Sequence, residues 1–158
     1  METTVWQMSA SRGVSGTATG TDTATPSDRS EPELLYRVAD GVATLSINRP
    51  ERRNALSWDV IEGLRARVEE ARNDPDVRVL VLTGTGDRAF CAGADLTGMR
   101  ADAGYADIHE ARGELARLFE DLWNLGKSTI ARVRGYCLAG GFGLALSCDL
   151  VVAADDAT

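Results

Sequence analysis

The hexapeptide Val77-Arg78-Val79-Leu80-Val81-Leu82 is apolar at every position except Arg78. A nearly continuous apolar run of this length is typical of a strand that is buried on both faces of a parallel sheet. The segments on either side alternate between strand and helix patterns, with no internal repeat of solenoid length. The chain is therefore predicted to have a layered α/β fold.

A hairpin pattern and a helix pattern precede this run. Residues 34–38 and 42–47 flank a turn at 39–41, which predicts two antiparallel strands. Ser57 is predicted to cap the helix that follows, and Pro75 to end it. The apolar face of that helix is expected, from its spacing, at Val60, Ile61, Leu64, Val68 and Ala71.

The same alternation continues after the run. A long loop with several glycines comes first, and residues 106–125 then have apolar side chains at helical intervals. Residues 130–133 are predicted to be a strand, residues 142–147 a short helix, and residues 150–154 a final strand. Residues 1–32 are rich in small and polar residues, so they are predicted to be a flexible low-complexity tail, and residues 33–158 the folded core.

Composition excludes several classes of function. The 158 residues carry a formal net charge of -7, which disfavours binding to nucleic acid or to an anionic membrane surface. The chain has no apolar run long enough to span a bilayer and no secretory signal pattern. Cys91, Cys137 and Cys148 are too irregularly spaced for a zinc or redox pair. They predict reduced thiols, mostly in the core, in a cytoplasmic protein with no metal site.

Three segments carry more specific information. They are residues 48–56 (NRPERRNAL), residues 82–96 (LTGTGDRAFCAGADL) and residues 133–141 (VRGYCLAGG), the last followed by Cys148-Asp149-Leu150. In this order and spacing the segments resemble the N-terminal part of an enoyl-CoA hydratase/isomerase, or crotonase, subunit. The resemblance implies a crotonase-like ββα spiral fold that is incomplete at its C-terminal end.

The same resemblance implies chemistry on an acyl-CoA thioester, with coenzyme A as part of the substrate and no separate cofactor. Two backbone N–H groups, those of Ala94 and Gly140, would form an oxyanion hole for the thioester oxygen. Gly140 would begin a short helix, whose N-terminus adds partial positive charge. Residues expected to hold coenzyme A are Arg52, Arg53, Ala55, Leu56, Ala92, Asp95 and Leu96.

Some of these residues have alternative interpretations. Arg52 and Arg53 are about as well explained as solvated side chains of a charged turn. Asp95 is alternatively interpreted as a residue that orders its own loop. Candidate acids on the helix after that loop are Asp107, Glu110 and Glu114, beside the single histidine, His109, but side chains on a charged helix are usually solvated.

The sequence also departs from the family pattern. Family hydratases use two glutamates, and the position of the first is occupied here by Gly143. The second would follow Thr158. Hydration of a 2-enoyl-CoA in fatty-acid metabolism is the leading expectation, with an isomerase or other thioester reaction, or a non-catalytic acyl-CoA-binding subunit, as alternatives. Full-length members are expected to be homotrimers or dimers of trimers, and a partial chain is expected to expose apolar surface.

Overall fold

A computed structural model describes residues 32–95 and 105–158, with the backbone alone for residues 105–111. Residues 1–31, which make up nearly all of the predicted tail, lie outside the described residues. No helix in the described part of the chain is long and apolar enough to cross a membrane.

Strands are the main elements of the fold. In chain order they are β1 (Leu34–Ala39), β2 (Val42–Ile47), β3 (Val79–Gly84), β4 (Ala89–Cys91), β5 (Ser128–Val133), β6 (Tyr136–Cys137) and β7 (Leu150–Ala153). Five of them form a sheet in the order β1-β2-β3-β5-β7, and β4 pairs with β6 in a separate small sheet. The β1–β2 pair is antiparallel and every other pair is parallel. The predicted hairpin and the predicted parallel sheet are confirmed.

Helices connect the parallel strands. They are α1 (Trp58–Asn73), α2 (Tyr105–Trp123) and α3 (Gly140–Leu146). The Ser57 hydroxyl accepts a hydrogen bond from the Val60 N–H at 3.3 Å, so the predicted helix cap is confirmed. Helix α3 begins at Gly140, as the resemblance implied, and two residues before the start that was predicted from the sequence pattern.

The core lies between the sheet and the helices. All five predicted apolar residues of α1 are buried, and they pack with Leu45, Leu80 and Leu82 of the central strands. Burying a side chain of this size stabilises a fold by about 1.5–3 kcal/mol. Leu118, Leu122 and Leu125 bury the predicted apolar positions of the second helix. The central strands alternate between buried and more exposed residues, so the sheet buries one face against the helices. The expectation that the apolar run of β3 is buried on both faces was therefore wrong, since Val79 and Val81 are only partly buried.

Arg65 connects α1 to α2. Its guanidinium lies 2.7 Å from carboxylate oxygens of Glu114 and of Asp121. Glu114 also pairs with Arg117 on its own helix. Glu114 is thus part of a structural ion-pair cluster between two helices. We therefore do not retain it as a candidate catalytic acid. The side chains of Asp107, His109 and Glu110 lie outside the described residues.

Two strands were not predicted. β4 and β6 lie in segments that the sequence indicated as loops, and they contain three and two residues. A strand this short cannot display the alternation by which a longer strand is recognised. The expectation of exposed apolar surface agrees with the structure at the C-terminal end. Exposed side chains there are Phe142, Leu146, Leu150, Val151 and Val152.

Candidate active site

A buried amide holds the first of the three motif segments in place. Asn54 is fully buried, and its Oδ1 accepts a hydrogen bond from the Arg49 N–H at 3.0 Å. Its Nδ2 donates to the carbonyl oxygens of Thr85, at 3.0 Å, and Ala89, at 2.7 Å. Because these carbonyls stand on either side of the turn that leads into β4, one side chain joins the first motif segment to the second.

Backbone hydrogen bonds join the same two segments further along. The Leu56 N–H donates to the Gly93 carbonyl at 2.8 Å, and the Asp95 N–H donates to the Leu56 carbonyl at 2.9 Å. The Ala92 N–H donates to the Arg53 carbonyl at 3.0 Å. Four of the residues expected to hold coenzyme A, namely Arg53, Leu56, Ala92 and Asp95, are therefore joined by these bonds. Leu96 lies outside the described residues.

An almost buried arginine reinforces that pair. The Arg49 guanidinium lies 2.8 Å from Asp95 Oδ2 and donates to the Ala55 carbonyl at 2.7 Å. Its Nε lies 2.9 Å from the carboxylate of Glu33, although the alignment is not that of a hydrogen bond. Asp95 thus anchors its own loop to Arg49, which agrees with the loop-ordering interpretation of this residue.

The second and third motif segments meet at two glycines. Gly93 has φ of +100°, a conformation that glycine adopts readily. A Cβ placed on Gly93 would stand 3.0 Å from Ala139 Cβ and 3.3 Å from the nitrogen of Gly140. A Cβ on Gly141 would stand 2.2 Å from the carbonyl oxygen of Cys91. The start of α3 is therefore packed directly against the loop that carries Ala94.

Both predicted oxyanion donors lie at this junction. Among the described residues, neither the Ala94 N–H nor the Gly140 N–H donates a hydrogen bond to a protein acceptor. Ala139, the residue before Gly140, has φ of +48° and ψ of −118°, which is strained for a residue with a Cβ. Such strain costs about 1–3 kcal/mol and is concentrated at functional sites. The junction therefore contains two N–H groups that have no acceptor among the described residues.

Positive charge is available beside this junction. Arg52 and Arg53 are both exposed, and the Arg53 guanidinium lies over the ring of Tyr136 at 5.6 Å from its centroid. This contact places the cation of the first segment against β6 of the third. A guanidinium that is held over a ring keeps its donors free to bind a phosphate oxygen.

No acid stands at the position of the first family glutamate. A Cβ on Gly143 would lie 2.8 Å from Phe119 Cζ and 3.0 Å from Phe119 Cε2, so the aromatic ring of α2 fills the space of a side chain there. Phe119 was not singled out from the sequence. Its position four residues after Leu115 on the same helix was the available signal.

The cysteines are unsuited to nucleophilic catalysis. All three are free thiols, and burial raises the pKa of Cys91 to about 12 and that of Cys148 to about 12. Burial also raises the pKa of the less buried Cys137. A thiol in this state is protonated at neutral pH and therefore unreactive. Within residues 32–95 and 105–158, no group of His, Cys, Asp and Glu side chains could hold a metal ion.

Comparison with known proteins agrees with this geometry. A family model described as enoyl-CoA hydratase/isomerase matches residues 37–158. A protein of Thermus thermophilus whose name ascribes enoyl-CoA hydratase activity to it is 42% identical over 118 residues, which are 73% of this chain and 46% of that protein.

Solved structures give the same result. An enoyl-CoA hydratase from Bacillus anthracis superposes with a TM-score of 0.76 at 33% identity, over 80% of this chain and 49% of that one. An enoyl-CoA hydratase/isomerase from Xanthobacter autotrophicus superposes with a TM-score of 0.76 at 36% identity, over 80% and 47%. The chain thus spans about half the length of the relatives that it matches. It belongs to the enoyl-CoA hydratase/isomerase (crotonase) family.

Proposed function

We propose that this chain binds an acyl-CoA thioester and holds the thioester oxygen between the N–H groups of Ala94 and Gly140. The observation that carries the proposal is a pair of N–H groups, those of Ala94 and Gly140, on the two segments that meet where Gly93 contacts the start of α3. Neither group has an acceptor within residues 32–95 and 105–158. Ala94 is exposed and Gly140 is partly exposed, so an external oxygen can reach both segments.

The chemistry follows from the charge that a thioester develops. Removing a proton beside the thioester, or adding to its conjugated double bond, places negative charge on the carbonyl oxygen. Backbone dipoles that are already oriented stabilise this charge without reorganisation. The strained Ala139 and the anchored Arg49–Asp95 pair keep both donor loops in position before substrate arrives.

The coenzyme portion would extend over the first motif segment. Arg52 and Arg53 supply local positive charge for phosphate groups on a chain whose overall charge is negative. The N–H groups of Ala55, Leu56 and Ala92 already donate within the fold, so these residues would offer their carbonyl oxygens to the pantetheine chain. This placement explains why the first motif segment is held by the buried hydrogen bonds of Asn54 while its arginines stay exposed.

Hydration of a 2-enoyl-CoA in fatty-acid metabolism is the reaction that we propose for the whole protein, with isomerisation as the alternative. The family's second acid would follow Thr158, and its trimeric assembly would also need chain beyond this sequence. The residues described here would supply binding and oxyanion stabilisation, and the acid–base groups would come from elsewhere.

A second candidate is a non-catalytic acyl-CoA-binding subunit. The specific observation in its favour is the ring of Phe119, which occupies the side-chain space at Gly143. An acid cannot be accommodated at that position while the ring is present.

The test combines binding and turnover. Gly140→Pro removes one proposed donor, whereas Gly140→Ala keeps it and adds a Cβ that lies 3.3 Å from the flexible Leu115 Cδ2. Removing an oxyanion donor typically lowers turnover about 10²–10³-fold. We expect Gly140→Ala to bind butanoyl-CoA and to retain any hydration of crotonyl-CoA, and Gly140→Pro to lose turnover.

Each result selects one interpretation. Binding without turnover in the unaltered chain favours the non-catalytic subunit. Equal behaviour of the two folded variants, checked by circular dichroism, would contradict the assignment of Gly140 as a donor.

A further inference from the structure

Two apolar side chains of α2 pack against two glycines of α3. Gly140 and Gly143 are three residues apart on α3, and Leu115 and Phe119 are four apart on α2, so each pair lies on one face of its helix. A Cβ on Gly140 would stand 3.3 Å from Leu115 Cδ2, and a Cβ on Gly143 would stand 2.8 Å from Phe119 Cζ. The absence of both Cβ atoms lets the aromatic ring approach the α3 backbone.

Phe119 also keeps part of its surface open. It packs against the hydrophobic core but is only partly buried, and so is Leu115. A ring that served the core alone would gain from complete burial. The ring contacts α3 at Gly143, one helical turn from Gly140, whose N–H is the proposed contact of the thioester oxygen. An acyl chain attached to that carbonyl must run within a few ångströms of this point.

We infer that Phe119 is a specificity-determining residue that selects uncharged acyl chains. The inference rests on the proposed function, since it takes Gly140 as the thioester contact. The ring fills the space of a side chain at position 143 and presents apolar surface there. An acyl chain that ends in a carboxylate would lose solvation against this ring without gaining a partner, whereas an alkyl chain gains contact area.

The first test separates the acyl group from the coenzyme. Affinities are measured by calorimetry for CoA, butanoyl-CoA and succinyl-CoA, the last two having acyl chains of equal carbon number. In the unaltered chain we expect butanoyl-CoA to bind more tightly than succinyl-CoA. Phe119→Ala should reduce the advantage of butanoyl-CoA over CoA by roughly three- to tenfold, because an aromatic contact is lost. The affinity for CoA itself should change less than about twofold.

Two variants guard this measurement. Phe142→Ala deletes an exposed ring from the neighbouring position of α3, so it should leave the ratio of the affinities for butanoyl-CoA and CoA unchanged. Phe119→Leu keeps apolar packing if the alanine variant fails to fold, and it should shift the ratio in the same direction by a smaller amount.

The second test needs no ligand. Gly143→Ala should lower the melting temperature by about 3–10 °C, because its Cβ would overlap the ring. In a Phe119→Leu background, the same substitution should lower it by less than half as much. Equal shifts in the two backgrounds would show that the ring does not fill this space.

The outcomes distinguish failure of the role of Phe119 from failure of the proposed function. If the unaltered chain binds neither CoA nor butanoyl-CoA, the proposed function fails and the inference fails with it. If it binds both and their ratio is insensitive to residue 119, only the role of Phe119 is refuted.

Discussion

The hydrogen bonds of Asn54 allow a quantitative prediction. Asn54→Ala removes three partners at once: the Arg49 N–H and the carbonyl oxygens of Thr85 and Ala89. A polar group left unpaired in the interior costs about 1–3 kcal/mol. Asn54 also has φ of +55°, which costs alanine about 1 kcal/mol more than asparagine. Two of the three bonds, those of the Arg49 N–H and the Ala89 carbonyl, are buried, so the expected loss in free energy of unfolding is about 3–7 kcal/mol. This is a large fraction of the roughly 5–15 kcal/mol available to a domain.

Urea denaturation of the purified chain measures this loss through the midpoint and slope. Asn73→Ala is the matched control, because the Asn73 amide makes only exposed hydrogen bonds, both to Glu69. Its effect should lie within about 0.5 kcal/mol. Asn54→Asp keeps the acceptor for the Arg49 N–H and loses both donors, so it should destabilise nearly as strongly as alanine.

The functional consequence is also measurable. Because Asn54 joins the arginine-bearing segment to β4, the strand before the loop that carries Ala94, Asn54→Asp should weaken the proposed binding of CoA at temperatures where the variant remains folded. A destabilisation by Asn54→Ala below about 1 kcal/mol, with an unchanged slope, would refute the reasoning, since the three bonds would then be replaceable.

Three further predictions concern other parts of the chain. Gly113→Ala should raise the free energy of unfolding by about 0.5–1 kcal/mol, because its Cβ has room within α2. Gly141→Ala should lower it by about 2 kcal/mol or more, because its Cβ would overlap the Cys91 carbonyl. Urea denaturation midpoints of the two variants measure both changes. Burial raises the pKa of Cys91 and Cys148 to about 12, so these thiols stay protonated in the fold after unfolded thiols have ionised. Stability should therefore fall as pH rises from about 9 towards 12, and a urea midpoint that is constant over that range would contradict the thiol burial. Leu150→Lys on the exposed edge strand should reduce concentration-dependent self-association in sedimentation velocity.

Periodic elements were predictable because one local rule decides each of them. The hairpin of β1 and β2 follows from two apolar runs around a turn, and α1 follows from its cap and its apolar face. The capping hydroxyl of Ser57 lies only three residues from the N–H that it accepts. In each case the residues that determine the structure are neighbours in the sequence.

Contacts between distant residues were not predictable in this way. Arg49 and Asp95 are 46 positions apart, and no local pattern indicates that they form an ion pair. The motif that contains Asn54 was recognisable, but its amide could equally have been a solvated turn residue. The ring of Phe119 at Gly143 depends on how α2 crosses α3, which is set by packing and not by the sequence of either helix alone.

The candidate site is therefore built from backbone whose position depends on buried side chains some distance from any ligand. Asn54 fixes the first segment, the Arg49–Asp95 pair fixes the second, and the close contact of Gly141 with Cys91 fixes the third. Among substitutions only proline removes a proposed backbone donor, but the positions of these donors can be changed through the three anchors. A displacement of about 1 Å at a donor can reduce catalysis about 10²-fold. Substitutions at the anchors should consequently impair thioester binding as strongly as substitutions at Ala94 or Gly140 themselves, even where the anchor never touches the substrate.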